Sequence, residues 1–507
     1  MKAIPLNRKS AFAEFGLKAT IAALCEEIRE LYLADGVPWI VGYSGGKDST
    51  ATLQLVWLAL KDLKSAERTK QVHVISTDTL VENPVISGWV SRSLSVMKTS
   101  AEAQQVPFVP HKLTPRVEDS FWVNLIGRGY PAPRHKFRWC TERLKIRPSN
   151  AFINKVVSEN GEAILLLGAR KAESSRRSFT LKNARKFRVQ DRLSPNSTLP
   201  GCMVYTPIED WSNDDVWLFL QQIKNPWGCD NNNLLGIYQG ANPDGECPLV
   251  VDSSTPSCGD SRFGCWVCTL VEKDKSMSAM IQNDADKEWM MPLLELRNML
   301  DFRLSSKGDG LDHHLRDFRR MSGQISIMED GRVVPGPYTQ ESRQTWLRKL
   351  LEAETWIRKN GPDEVRTMEL VTVDELQEIR KIWVIDKHEI EDSLPQIYQS
   401  ITGRTFPGKN LDDSAVLGLD EVELLRELCE DKTLHFELTR ELLSLSRQQR
   451  QGARRAGHYE KLEGAFKKGF FADATEATDV ARRKHHEKLL AREGRTSPTH
   501  SGKEQSE

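Results

Sequence analysis

Residues 43–50 read Y-S-G-G-K-D-S-T, and the fold turns on how this stretch is understood. A short apolar run, Trp39 to Gly42, precedes it, and Leu53, Leu55, Val56, Leu58, Leu60 and Leu63 follow at helical spacing. The pattern predicts a strand, a glycine turn and a helix start. Two adjacent glycines, Gly45 and Gly46, let the backbone approach a ligand closely and turn its N–H groups inward. The helix N-terminus adds partial positive charge and Lys47 a full one, while Ser44 and Ser49 add hydroxyls. The ligand that suits such a turn is a phosphate or pyrophosphate. The P-loop of ordinary NTPases would need Gly at position 41 and Ser or Thr after the lysine, but Val41 and Asp48 stand there.

A chain of 507 residues has room for roughly two to four domains with sizeable cores. Lys+Arg and Asp+Glu both number 71, so net charge gives no hint of a nucleic-acid partner, and any basic surface must be local. The opening M-K-A-I-P-L-N-R-K lacks an apolar signal core, and no run approaches the roughly 18 apolar residues that cross a bilayer. A cytoplasmic protein without membrane contact is expected. Nine cysteines in such a chain read as metal ligands or reactive thiols rather than disulfides.

Outward from the turn, residues 11–35 read as an amphipathic helix, Val72 to Ser76 as a second strand ending in Thr77-Asp78-Thr79, and Pro84 to about Gln104 as a helix. Asp78, at a strand end beside a nucleotide-binding turn, is placed to meet a ribose or metal, although such an Asp also serves as a plain turn or cap residue. A helix from Thr141 to about Ser158 leads to a buried strand, Ala163 to Leu167, and then to G-A-R-K-A-E-S-S-R-R. Strands and helices alternating at these lengths predict an α/β fold, a doubly wound and mostly parallel sheet with ligands at the carboxyl ends of its strands. Arg170, Arg176 and Arg177 fall at that edge, where guanidiniums suit a phosphate or sulfate group, or form a solvated basic loop. Tyr205 to Trp217 combines a strand, a turn and a helix capped by Ser212.

The S-G-G-x-D-S core of the turn resembles the PP-loop of the ATP pyrophosphatases. The ordered set Ser44 to Ser49, Asp78-Thr79, Cys140 with Arg143, Lys145 and Pro148, Gly168-x-Arg170 with Glu173-Ser174 and Arg177, and Pro207-Ile208 to Trp217 resembles the phosphoadenosine-phosphosulfate reductase branch of that superfamily. The similarity covers roughly residues 20–275. It implies an adenine nucleotide alpha hydrolase-like fold and cleavage of ATP between its α and β phosphates. Lys47, Asp48 and Ser49 would then be catalytic, and Ser44, Gly45, Gly46, Asp78, Arg170, Glu173 and Arg177 would join them in holding ATP and Mg2+.

Five cysteines lie between Cys229 and Cys268, separated by Gly, Pro, Asn and Ser, so this segment reads as a loop layer. Its end, Cys258-G-D-S-R-F-G-Cys265-W-V-Cys268, offers three thiols, and a Cys-x-x-Cys pair can grip one metal centre from a single turn. The resemblance supplies Cys140 in R-W-C-T-E-R as the fourth ligand and favours a 4Fe-4S cluster over zinc. Cys247, in G-E-C-P, is a candidate sulfur carrier or a buried small hydrophobe. The stretch G-E-C-P-L-V-V-D-S-S-T-P-S-C-G-D-S-R-F-G-C-W-V-C-T at 245–269, taken with R-W-C-T-E-R-L-K-I-R-P at 138–148, resembles the DndC family, the sulfurtransferase-type component of bacterial DNA phosphorothioation systems. That resemblance implies sulfur insertion into the DNA backbone, with a cysteine desulfurase, other phosphorothioation-system proteins and DNA as partners. The nucleophilic Glu-Cys-Gly-x-His segment of true phosphosulfate reductases is not found, and the last cysteine is Cys429. A reductase-like or RNA-thiolating enzyme, or a non-catalytic DNA-docking subunit, is the alternative.

Four segments are expected: a PP-loop domain over 1–227, a cysteine-rich segment over 228–275, a helical accessory domain over 276–445 and a basic, partly disordered tail over 446–507. In the helical domain, Met291 to Leu304, Glu341 to Asn360, Val373 to Ile385 and Asp420 to Leu445 carry apolar residues at three and four spacing, with a hairpin turning at Asp330-Gly331. The tail holds 14 Lys/Arg against 9 Asp/Glu, mixed with aromatics, a composition that can track a phosphate backbone or stay solvated.

Overall fold

The computed structural model describes residues 10–189, 192–242, 263–301, 303, 312–411, 417–430, 432–451 and 457–493. Cys247 and Cys258 lie outside these. The chain divides into two compact units: the first holds residues 1–121, 133–300 and 357–366, the second 122–132, 301–356 and 367–507.

The first unit is built on a six-stranded sheet with strands β1 (Trp39–Gly42), β2 (Val72–Thr77), β3 (Phe108–Leu113), β4 (Ala163–Leu166), β5 (Ser194–Pro195) and β6 (Cys202–Tyr205) in the order β3-β2-β1-β4-β6-β5. All neighbours run parallel except the short edge strand β5. Trp39, Ile40 and Val41 are all fully buried, as a central strand covered on both faces requires. Trp39 and Val41 face one core, with Val72, Val74, Ile164 and Leu166. On that face lie α1 (Gly16–Leu33), α2 (Lys47–Lys61), α3 (Pro84–Gln104) and, further along the chain, the helix Asn213–Gln222. Ile40, Ile75 and Leu165 face the other core, against Ile153 and Val156 of α4 (Arg147–Asn160). Each apolar side chain buried this way contributes about 1.5–3 kcal/mol.

Local rules explain the boundaries. Asn83 caps α3 by accepting from the Val85 N–H at 3.0 Å, and Pro84 takes the first helical position, where a missing N–H costs nothing. A π-helical turn, Thr141–Ile146, runs into α4. Then come α5 (Ser175–Arg185), α6 (Asn213–Gln222) capped by Ser212, and α7 (Asn231–Gly240). Helix α7 occupies part of the stretch expected to be loop; Asp230 caps it, and Leu234 and Tyr238 are its buried pair at a spacing of four.

The chain leaves β1 toward β2 and β3 on one side and returns to β4 on the other side of β1. This reversal opens a crevice between the carboxyl ends of β1 and β4, the place where open α/β sheets bind ligands. The turn 43–50 and the loop after β4 are its two walls.

The second unit is mainly helical, with helices Val373–Lys381, Ser393–Thr402, Leu419–Leu428, Thr433–Gln451, His458–Gly469 and Ala474–Glu493. Its interior holds the ion pairs Arg343–Glu389, Arg380–Asp392 and Arg440–Glu391, with every side chain at most 8% exposed. The expected hairpin is present as an antiparallel bridge between Ile327 and Val333, and Gly331 turns it at φ +80°. The single helix expected over Asp420 to Leu445 is two helices, broken where Glu430 takes a left-handed φ of +52°. No helix among the described residues is long and apolar enough to cross a membrane.

Candidate active site

Gly45 has φ +74°, and a Cβ there would stand 2.4 Å from a Val90 methyl, so only glycine fits. Its carbonyl accepts a 3.0 Å hydrogen bond from the indole N–H of Trp89 in α3. The Ser49 hydroxyl donates to the Gly46 carbonyl at 3.0 Å and accepts from the Ser44 N–H at 3.2 Å, which makes Ser49 the clasp of the turn. Gly46 caps α2 without any side-chain bond. Among the described residues the N–H groups of Gly45, Gly46, Asp48 and Ser49 have no acceptor, the arrangement of an anion-binding helix start.

Lys47 is only 7% exposed. Burial lowers its pKa, and Asp48, whose carboxylate lies 3.6 Å from Nζ, pulls in the opposite direction. The ammonium sits 5.3 Å from the centre of the Tyr238 ring, and the Lys47 N–H points to the Tyr238 hydroxyl at 3.4 Å. Phe263 meets the same ring edge-on at 4.7 Å. Tyr238 thus walls the turn from α7, a position that reading this stretch as loop did not reveal.

The opposite wall is the loop after β4. A Cβ on Gly168 would lie 2.6 Å from the Asp48 carbonyl oxygen, so the two backbones touch. Arg170, buried at 3% exposure, donates from Nε to Asp48 at 2.7 Å and from Nη1 to the Trp211 carbonyl at 3.2 Å. Glu173 accepts from the Arg170 N–H at 2.8 Å and pairs with Arg177 at 3.3 Å. Asp48 and Arg170 therefore tie the crevice walls together, while Arg176 and Arg177 are exposed on α5. Asp78 holds the turn that leaves β2, accepting from the Leu80 N–H at 2.8 Å and pairing with Lys112 at 2.8 Å.

That turn runs into a second centre. Residues 81–83 pair with 264–266: Trp266 N–H donates to the Val81 carbonyl at 2.9 Å and Asn83 N–H to the Gly264 carbonyl at 3.2 Å. Cys268 N–H donates to the Cys265 carbonyl at 3.0 Å, closing the Cys-x-x-Cys turn. The Cys265 thiol lies 3.4 Å from the Thr79 hydroxyl and 4.0 Å from Glu82, which pairs with Lys145 at 3.2 Å. Burial first, then Glu82, pushes the Cys265 thiol up to about 12, against Lys145. Burial first, then Cys268, raises Cys140, so these three thiols lie in one electrostatic neighbourhood. Fully buried Arg297 fixes the chain beyond them by donating to the carbonyls of Cys268, Val271 and Glu272. Among the described residues, no three His, Cys, Asp or Glu side chains converge closely enough to hold a metal ion.

Residues 38–228 match the phosphoadenosine phosphosulfate reductase domain family. The matched stretch runs from just before β1 to the residue ahead of Cys229, and so includes both crevice walls and Cys140 but not Tyr238, Cys265 or Cys268. An uncharacterized protein of Methanocaldococcus jannaschii is 26% identical over 245 residues, which are 48% of this chain and 39% of that one. The chain thus spans about two-fifths of the length of this curated relative. Among solved structures, the phosphoadenylyl-sulfate reductase of Candida auris in its phosphate complex is 14% identical, covering 40% of this chain and 84% of its own at a TM-score of 0.25. The tRNA thiolase NcsA of Methanococcus maripaludis, with its 4Fe-4S cluster, is 14% identical, covering 43% and 72% at a TM-score of 0.28.

Proposed function

We propose that this chain is an ATP pyrophosphatase of the sulfurtransferase type that inserts sulfur into the DNA backbone. The observation that carries the reading is the buried Lys47 ammonium beside a helix start whose N–H groups have no acceptor among the described residues. In the proposed reaction a non-bridging phosphodiester oxygen attacks the α-phosphorus of ATP and the bond to pyrophosphate breaks. Lys47 and the N–H groups of Gly45 and Gly46 stabilise the charge that develops on the leaving group. Sulfur at the sulfide level then attacks the activated phosphorus; the P–S bond forms, the P–O bond breaks, and AMP departs. Where a cysteine desulfurase delivers that sulfur as a persulfide, a second thiol takes up the remaining sulfur as a disulfide. Phosphorus itself is not oxidised or reduced.

Asp48 serves this chemistry by holding Arg170 and Lys47 in place. Its carboxylate is already neutralised by them, so Mg2+ would arrive on the nucleotide's phosphates. Cys140, Cys265 and Cys268 are soft donors of the kind a 4Fe-4S cluster or zinc takes, with Cys258 as the fourth, although among the described residues they do not converge closely enough to hold a metal ion as they stand. A cluster there would require these thiols to draw together; Lys145 and Glu82 set the charge beside Cys265.

Purified chain given ATP, Mg2+ and DNA should release pyrophosphate, and AMP once a sulfur donor is added. Nuclease digests of DNA from cells carrying the chain with its partner proteins should contain sulfur-bearing dinucleotides by mass spectrometry. ADP as the product would overturn the activation step, and sulfur found in tRNA instead of DNA would move the chain to the RNA-thiolating class. Anaerobically prepared protein should be brown, with about four iron and four sulfide per chain, and Cys265→Ser or Cys268→Ser should bleach it. Zinc without iron, by elemental analysis, would make the centre a structural one.

A further inference from the structure

Helix α5 covers little of the molecule beneath it: in Ser175–Arg185 only Leu181 is buried. Yet it is not a neutral surface. Residues 171–188 contain seven Lys/Arg and one Glu. Lys171, Arg185 and Arg188 are spent on Glu209 and Asp210, and Arg177 on Glu173. Among the described residues Lys182 and Lys186 have no acidic partner. Phe179 and Phe187 are each 68% exposed, a cost in water that core formation does not explain.

The helical repeat sorts these groups. At about 100° per residue, Arg176, Phe179, Lys182 and Lys186 fall within one arc of roughly a third of the helix, opposite Leu181. An aromatic face flanked by unpaired cations binds a polymer whose charges repeat and whose bases can be unstacked. A folded acidic protein would satisfy the lysines but leave two exposed phenylalanines without planar partners. The helix also begins at the crevice: Ser174, its cap, lies four residues beyond Arg170, which is tied to Asp48.

We propose that the outer face of α5, with Phe179, Lys182 and Lys186 at its centre, is a binding surface for single-stranded nucleic acid and lays the backbone beside the ATP turn. The inference rests on the proposed polynucleotide substrate and gives it a location and a strand state. A fluorescein-labelled oligothymidylate of about 20 nucleotides, and the matching duplex, are titrated with the full chain while anisotropy is read. The single strand binds more tightly than the duplex. Lys182→Glu with Lys186→Glu weakens binding at least tenfold, and the slope of log affinity against log salt falls in magnitude by about 1.4, near 0.7 for each lost phosphate contact. Phe179→Ala weakens binding about tenfold and leaves that slope unchanged.

All three substitutions lie on an exposed face, so the melting temperature and the affinity for ATP stay at the parental values. Unchanged affinity and slope in the double variant, or tighter binding of the duplex, overturns the inference. Pyrophosphate release by the parental chain separates the two proposals: α5-dependent strand binding by a chain that never releases pyrophosphate sustains this surface while the proposed chemistry fails. Pyrophosphate release with strand binding indifferent to α5 does the reverse.

Discussion

Lys47→Ala lowers pyrophosphate release by about 10²–10³-fold, equivalent to roughly 2.7–4 kcal/mol of lost charge stabilisation. The size follows from placement. The ammonium is 7% exposed, so its field on a departing pyrophosphate is little diluted by water. Stability moves the other way. Burial is the largest influence on Lys47 and lowers its pKa, so the charged form is less at home in the folded chain than in the unfolded one. For a depressed lysine the folded state gains as pH rises toward the ordinary lysine range and loses as pH falls through the folded value. At neutral pH the charge is therefore a cost, and Lys47→Met leaves the melting temperature unchanged or higher while turnover collapses. That opposition between stability and activity is what a binding group shows and a core group does not. A variant that lost both together, measured by thermal melting and by coupled pyrophosphate detection, would mark Lys47 as a structural lysine.

Gly168→Ala has the second large effect. The added methyl would stand 2.6 Å from the Asp48 carbonyl oxygen and 3.0 Å from the Ser49 nitrogen, and both are backbone atoms at the head of α2. No side chain can swing away to make room. Overpacking of this kind costs about 1–3 kcal/mol, and in a unit of this size each kcal/mol lowers the melting temperature by about 2–4 °C. A fall of roughly 2–12 °C is expected. Turnover drops at temperatures well below melting as well, because separating the two walls stretches the 2.7 Å bond between Arg170 and Asp48. A melting temperature within a degree of the parent would mean that the walls do not touch in solution.

The elements legible in the sequence are those that carry their own signals. Strand β1, helix α3 with its Asn83-Pro84 start, and helix α6 with its Ser212 cap combine periodicity with a start or stop residue. Strand β3 was not legible. Its residues F-V-P-H-K-L include Pro110 and Lys112, which break the apolar run but are tolerated at the sheet edge it occupies. Helix α7 is masked by its Asn-rich beginning and by the glycines around it. The strand, glycine turn and helix start could be read from the sequence alone, but the commitment of Arg170 to Asp48 could not. Those residues are 122 positions apart, and only the order of the strands makes them neighbours. The same holds for Tyr238, Glu82 and Arg297, whose roles come from what the fold sets beside them.

Helix α3 meets one centre at its first residues, where Asn83 pairs with Gly264, and the other at Trp89, which props the carbonyl of Gly45. Six residues of helix amount to about 9 Å of rigid rod. A single strut thus works as a ruler with the Cys265 turn clamped at its zero mark and the glycine turn about one and two-thirds coils along. A displacement at either clamp meets the other through continuous helix rather than through a loop.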